Sequence, residues 1–157
     1  MTPEQLAALR TVLAALDVPV LLGGSGLLAA LGLDVTVGDV DLVARPGDRA
    51  AFEALPWWRR TTTEPTELLR SPWKAELDVD GVPVEAIGGL AWVAGGRVVE
   101  MPFRAEGAWR GVPLAPAAHW LLLYEAYKPE RAAQLAPLVD DAARTAALRE
   151  LGVAADV

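Results

Sequence analysis

The chain reads as one α+β domain, 1–157, in which a mixed or antiparallel sheet is flanked by helices and the C-terminal part is helical. Three observations lead there. Helical periodicity occupies both ends, the middle carries β-patterned runs with turn signals and no crossover helices between them, and no repeat or low-complexity linker divides the chain. Residues 1–114 would form the α+β core and 115–157 the C-terminal helices.

Leu6, Leu9, Leu13 and Leu16 recur at helical spacing behind Thr2, a capping residue, and Pro3, suited to a first turn, so a helix is expected over 3–16. Asp17-Val18-Pro19 stops it. A short apolar strand from Val18 to Leu22 runs into Gly23-Gly24-Ser25, and Leu27, Leu28, Leu31 and Leu33 suggest a brief helix closed near Gly32. Asp39-Val40-Asp41-Leu42-Val43 alternates polar and apolar, the pattern of a strand with one polar face. Arg45-Pro46-Gly47-Asp48 turns the chain into a short helix from Asp48 to Leu55, capped by Asp48. Trp57 to Thr63 is rich in β-formers, and Trp73 to Val79 alternates before Asp80-Gly81, a hairpin signal, leads into Val82 to Ile87. Two further strands, Arg97 to Phe103 and Ala108 to Leu114, flank the turn-prone Glu106-Gly107. Helices are expected over Ala117 to Tyr127 and from Pro129 to about Leu151, broken or restarted at Pro137; the alanine-rich stretch Ala142 to Ala155 reads as scaffold.

Composition narrows the chemistry. With 53% apolar residues the chain is too hydrophobic for disorder, yet no run reaches the roughly 18 apolar residues of a membrane helix. The start, Met1-Thr2-Pro3-Glu4-Gln5, lacks the basic region of a secretion signal, so a cytoplasmic protein is expected. Zero cysteines exclude disulfides, thiolate zinc sites and a cysteine nucleophile, and one histidine, His119, excludes metal sites that need two. Chemistry must come mainly from carboxylates, hydroxyls, backbone and arginine. The formal charge of −7 argues against generic DNA binding, which needs phosphate neutralisation, and suits a site that collects cations.

Gly23-Gly24-Ser25 stands at a strand-to-helix junction, Asp39 and Asp41 on the next strand, and Glu85 on a strand after a hairpin. Consecutive glycines let backbone approach a ligand, the N–H groups of a helix start attract phosphate, and Ser25 adds a hydroxyl donor. Asp39 and Asp41, two apart on a strand, share a face with attachment points about 6.5–7 Å apart and suit Mg²⁺, a hard cation that prefers oxygen. A third carboxylate on a neighbouring strand would complete a two-metal centre.

The pattern apolar-Gly-Gly-Ser, thirteen residues, then Asp39-Val40-Asp41-Leu42 resembles the signature of the nucleotidyltransferase superfamily with the DNA polymerase beta fold. Within it the chain is similar to small bacterial members: minimal nucleotidyltransferases, antibiotic adenylyltransferases and nucleotidyltransferase toxins. The diagnostic match covers about residues 18–44, and the remainder supports it by element order. The resemblance implies a Mg²⁺-dependent enzyme that transfers a nucleoside monophosphate from a nucleoside triphosphate to a hydroxyl, releasing pyrophosphate. It implies that Gly23, Gly24 and Ser25 form the triphosphate loop and that Asp39 and Asp41 bind two Mg²⁺ ions. Glu85, in Val84-Glu85-Ala86-Ile87, best matches the third acid by position and would serve as metal ligand and base. It departs from the usual aspartate, and Asp78 and Asp80 compete across the hairpin.

Related proteins often open a late helix with a basic-acidic pair beside the nucleotide; Tyr127-Lys128-Pro129-Glu130-Arg131 echoes it incompletely, making Lys128 and Arg131 candidates for phosphate contacts. Lysine occurs otherwise only at Lys74. His119 reads as a packed or helix-start residue, Asp34 as a cap or turn, and Trp57-Trp58-Arg59-Arg60 as a strand with one buried tryptophan ahead of a base-stacking platform. The acceptor stays open among a small molecule, tRNA and a protein hydroxyl. Little chain remains for an acceptor domain, so the acceptor would lie in a cleft shared by a homodimer or against the last helices. The competing reading is a catalytically inactive relative that serves as a binding or toxin–antitoxin partner.

Overall fold

A computed structural model describes residues 1–153. The end of the alanine-rich stretch, 154–155, lies outside the described residues.

Helix α1 spans Pro3–Ala15 and opens on a capping box: Gln5 N–H donates to Thr2 Oγ1 at 3.2 Å, while Thr2 N–H donates to Gln5 Oε1 at 2.9 Å. Gln5 also reaches out of the helix. Its Nε2 donates to the Val37 carbonyl at 2.6 Å in buried surroundings, tying α1 to the loop that delivers Asp39. Strand β1 is only Leu21–Leu22, helix α2 is Gly24–Ala30, and strand β2 is Val40–Ala44. The expected helix at 27–33 therefore starts directly on the glycine pair, and Asp39 sits one residue before its strand.

A 3₁₀ turn at Pro46–Asp48 precedes α3, Arg49–Glu53. Asp48 does not cap α3 as expected; Arg45 Nε holds its carboxylate at 2.9 Å. Strands β3 (Trp58–Thr62), β4 (Trp73–Val79) and β5 (Val82–Gly88) complete the main sheet, with the Asp80-Gly81 hairpin where the sequence signals it. Both turn residues have positive φ, 52° and 86°, and Asp78 Oδ1 accepts from Gly81 N–H at 2.7 Å. The side chain of Asp78, a residue of β4, thereby serves the turn.

The sheet order is β1-β2-β5-β4-β3. All pairings are antiparallel except β2 with β5, so the sheet is mixed. Parallel pairing forces the chain to leave β2, build α3, β3 and β4, and return inside the sheet. One face of β2, β5 and β4 is apolar, through Leu42, Ala44, Val84, Ala86, Ala75 and Leu77, all buried; α1 packs against β5, and α3 against β3 and β4. The other face carries Asp41, Glu85, Lys74 and Glu76.

Two small hairpins follow, β6 (Ala91–Ala94) with β7 (Arg97–Glu100), and β8 (Ala108–Trp109) with β9 (Val112–Pro113). The expected strand 97–103 forms only as Arg97–Glu100, one arm of a hairpin, and the expected single strand 108–114 is itself a hairpin turning at Arg110-Gly111, while β6 carried no alternation to announce it because both Ala91 and Trp92 are buried. Leu114 bridges to Leu22, and Ala115 N–H donates to the Leu22 carbonyl at 3.0 Å, anchoring the start of α4, Ala117–Tyr127, beside the glycine pair. The final helical stretch is divided into α5 (Pro129–Leu135), a 3₁₀ turn at Ala136–Leu138 and α6 (Asp141–Glu150), capped by Asp140. Pro137 sits in that turn, as its missing N–H requires. His119 is buried, 2% exposed, with Nε2 3.1 Å from Glu150 Oε2. Trp57 is half-buried just before β3 and Trp58, its first residue, is exposed, so the strand forms but the buried tryptophan expected of that pair does not. No helix among the described residues is long and apolar enough to cross a membrane.

Gly88 ends β5 beneath the Trp73 indole, so that a Cβ there would overlap the ring. Gly88→Ala should cost about 1–3 kcal/mol through overpacking. Urea unfolding checks this; an unchanged midpoint would mean Trp73 is free to shift.

Candidate active site

The site is built where the polar ends of β2 and β5 meet α2 and α4. In the parallel ladder Asp41 stands directly opposite Glu85. Asp39 joins them from the turn held by Gln5. One carboxylate oxygen from each of Asp39, Asp41 and Glu85 lies within 4.8 Å of the others, and all three are half-buried. That spacing lets one ion touch all three, and an all-oxygen, all-anionic donor set is the chemistry a hard divalent cation prefers.

Like charges held this close act on one another. The Asp41 carboxyl is pushed up from 3.8 to about 7, chiefly by burial, with Asp39 and Glu85 adding repulsion against the weaker pull of Lys128 and Lys74. A buried carboxyl raised in this way, with two more carboxylates beside it, favours the arrival of positive charge.

Each glycine of the Gly23-Gly24 pair has a separate reason. Gly24 has φ +56°, and a Cβ would fall 2.6 Å from the Asp41 carboxyl carbon, so only glycine lets α2 start against this acid. Gly23 lies under the Trp120 ring, where a Cβ would come 2.6 Å from Cζ3, and its N–H donates to the Asp41 carbonyl at 2.9 Å. Gly23 therefore braces the loop and packs α4, and it lines neither cavity of the site.

Two cavities adjoin the carboxylates. One of about 330 Å³ is lined by Ser25, Thr36, Asp39, Asp41, Lys128 and Arg131, bringing together five residues expected from opposite ends of the chain and adding Thr36. Arg131 donates from Nη2 to the Thr36 carbonyl at 3.4 Å, and Lys128 Nζ lies 5.4 Å from the Tyr127 ring centre. The second cavity, about 140 Å³, contains Gly24, all three carboxylates, Lys74, Trp120, Tyr124, Tyr127 and Lys128. Tyr124 lines both, and burial pushes its hydroxyl above the usual tyrosine range.

Lys74, Tyr124 and Trp120 were not identified as site residues from sequence. For Lys74 a signal existed: it alternates with Glu76 on β4, whose register lays Glu76 opposite Glu85 and demands a nearby cation. Its Nζ is 3.2 Å from Glu85 Oε1 and 3.7 Å from Glu76 Oε1. Burial works to lower its pKa, yet the two glutamates hold it above the usual lysine value. Asp78 belongs to the hairpin and not to the carboxylate trio.

No protein-family model and no curated protein matches the sequence. Among solved structures, a Thermotoga maritima protein provisionally assigned as a nucleotidyltransferase superposes with TM-score 0.64 at 24% identity over 88% of this chain and 92% of its own. The solution structure of the antibiotic-resistance factor ANT(2″)-Ia gives 0.56 at 19% identity, over 97% and 95% of the two chains. The crystal structure of ANT(2″)-Ia with adenylyl-2″-tobramycin gives 0.54 at 20%, over 94% and 98%. The chain has the nucleotidyltransferase fold.

The raised Asp41 carboxyl makes a stability prediction. Between about pH 4 and 7 the metal-free folded chain keeps a proton that the unfolded chain has lost, so this group's contribution to stability falls as pH rises through that window. Asp41→Asn removes the cost. Its stability relative to wild type should improve by about 1–3 kcal/mol between about pH 5 and pH 8, discounted for water at the cleft mouth. Melting of both proteins in chelator at the two pH values checks it; a pH-independent difference refutes it.

Proposed function

We propose that the protein is a Mg²⁺-dependent nucleotidyltransferase that moves a nucleoside monophosphate from a nucleoside triphosphate to a hydroxyl of a small-molecule acceptor, releasing pyrophosphate. The observation that carries this reading is the convergence of Asp39, Asp41 and Glu85 within 4.8 Å in a cleft flanked by Ser25, Lys128 and Arg131. The carboxylates fit a divalent centre on their own chemistry, since burial and mutual repulsion raise Asp41 until positive charge arrives. Two bound Mg²⁺ ions would supply Lewis-acid stabilisation of the transferring phosphoryl group and a lowered pKa for the acceptor hydroxyl.

The chain's own residues do the rest. Asp39, Asp41 and Glu85 would hold the ions. Lys128 and Arg131, on the flank of the 330 Å³ cavity, take the negative oxygens of the triphosphate, with Ser25 donating a hydroxyl hydrogen bond. Gly24 keeps the approach between that loop and Asp41 clear of side chains. In the transfer the acceptor O–H loses its proton to Glu85, its oxygen bonds to the α-phosphorus, and the bond to the β-phosphate oxygen breaks as pyrophosphate leaves. Trp120, Tyr124 and Leu123 wall the cleft and limit water, which would otherwise compete as acceptor.

A small-molecule acceptor is supported by two features. The protein carries −7 overall, and the fold neighbour ANT(2″)-Ia has been crystallised with an adenylylated tobramycin. The cleft continues past Lys74 and Tyr127 into a third cavity of about 240 Å³ that presents Thr62, Thr66, Ser71 and Glu64, enough for a compact polar molecule.

The test is pyrophosphate release from each of the four nucleoside triphosphates with Mg²⁺ and a panel of hydroxylated small molecules, tRNA or the protein itself as acceptor. Wild type should turn over with a small molecule, and Asp41→Ala should lose at least about 100-fold in rate while keeping its melting transition. A fully active Asp41→Ala overturns the assignment. Nucleotide binding without turnover on any acceptor would mark a non-catalytic nucleotide-binding protein instead.

A further inference from the structure

The open face of the sheet carries a row of charges set by strand register. Asp41 is opposite Glu85, Glu85 is opposite Glu76, and Glu76 is opposite Arg60, across β2, β5, β4 and β3. Three carboxylates in line on neighbouring strands repel, and sheets disfavour like charges directly opposite. The outer end of the row is neutralised by Arg60, which grips Glu76 with two hydrogen bonds of 2.7 and 2.8 Å. The inner end has a different solution. Lys74 stands one position along β4, opposite Ile87, and swings its Nζ between the two glutamates, 3.2 Å from Glu85 and 3.7 Å from Glu76. Among the described residues it is the only ion-pair partner of Glu85, and it lines both the carboxylate cavity and the 240 Å³ cavity beside it.

The geometry points to Lys74 as a positioning residue that acts through Glu85: its ammonium is a built-in counter-ion that holds the third carboxylate in the metal-free protein and sets how tightly the centre takes a divalent cation. This rests on the metal centre proposed above. An ion bound to Glu85 Oε1 at about 2.1 Å could lie no farther than about 5.3 Å from Nζ, because Nζ is 3.2 Å from that oxygen. A divalent and a single positive charge at that separation repel by about tenfold in affinity even at the dielectric of water. Metal therefore enters against the charge of Lys74. The device keeps Glu85 aimed at the centre, and it weakens binding of a bare ion relative to one arriving with the countercharge of a triphosphate.

The experiment is a Mn²⁺ titration of the metal-free, nucleotide-free full chain, with free Mn²⁺ followed by its paramagnetic resonance signal. Lys74→Met should bind Mn²⁺ about tenfold more tightly than wild type. Lys74→Arg, which keeps the charge, should stay within about twofold of wild type, which a merely structural role for the side chain would not arrange. Lys74→Gln, polar and uncharged, repeats the measurement should the methionine variant fail to fold. Equal or weaker binding by the uncharged variants overturns the role of Lys74 while leaving the metal centre intact, as does tighter binding by Lys74→Arg. No Mn²⁺ binding by wild type or any variant at millimolar concentration overturns the metal centre itself, and the role of Lys74 with it.

Discussion

Parallel pairing of β2 with β5 is the constraint on which the other features depend, because it is what sets Asp41 against Glu85. The pairing brings together two acids 44 residues apart in number and leaves the fold to manage their repulsion. Burial of Asp41, the loop that presents Asp39 and the register of β4 all sharpen that repulsion. The apolar reverse of the same strands, Leu42, Val84 and Ala86, locks the register, since a slip of one residue would turn the carboxylates into the core and the core into solvent. Core and site are thus two faces of one ladder.

Several contacts outside the ladder serve it. Gln5 couples the first helix to the carbonyl of Val37, two residues before Asp39, so that packing of α1 is transmitted to the position of an acid. The bridge from Leu114 to Leu22 starts α4 beside the glycine pair and lays Trp120 on Gly23. The same helix ends at Lys128, which it delivers to the opposite wall of the cleft. Glycine at 24 then follows from space: the acid occupies the volume that any side chain would need. A stability cost concentrated at Asp41 is what is expected where residues are chosen for chemistry over packing.

Legibility differed among elements for physical reasons. The Gly-Gly-Ser junction, the Asp-x-Asp strand and the Asp80-Gly81 hairpin rest on short-range rules, steric freedom, period-2 alternation and turn conformation, and they stand where expected except that Asp39 falls one residue before its strand. β6 was not legible: with Ala91 and Trp92 both buried, it has no alternation to read. The break in the last helical stretch falls at Pro137 as expected, but proline's lost N–H does not say that a 3₁₀ turn will fill it. That Gly23 also packs under an indole from residue 120 was not legible, because the two lie far apart in the chain.

By itself the sequence determined the kinds of chemistry open to this protein and the local elements that carry the acids, because composition and short-range stereochemistry are properties of the chain alone. Cysteine is absent and histidine occurs once, so carboxylates had to do the work. Only the tertiary structure decided which carboxylate joined Asp39 and Asp41, since Glu85 and Asp78 are told apart by strand direction and pairing partner. It alone placed Lys74 against Glu85 and brought Lys128 and Arg131 to the same cleft. Strand order is a long-range outcome of packing, and a row of charges across four strands exists only once that order is set.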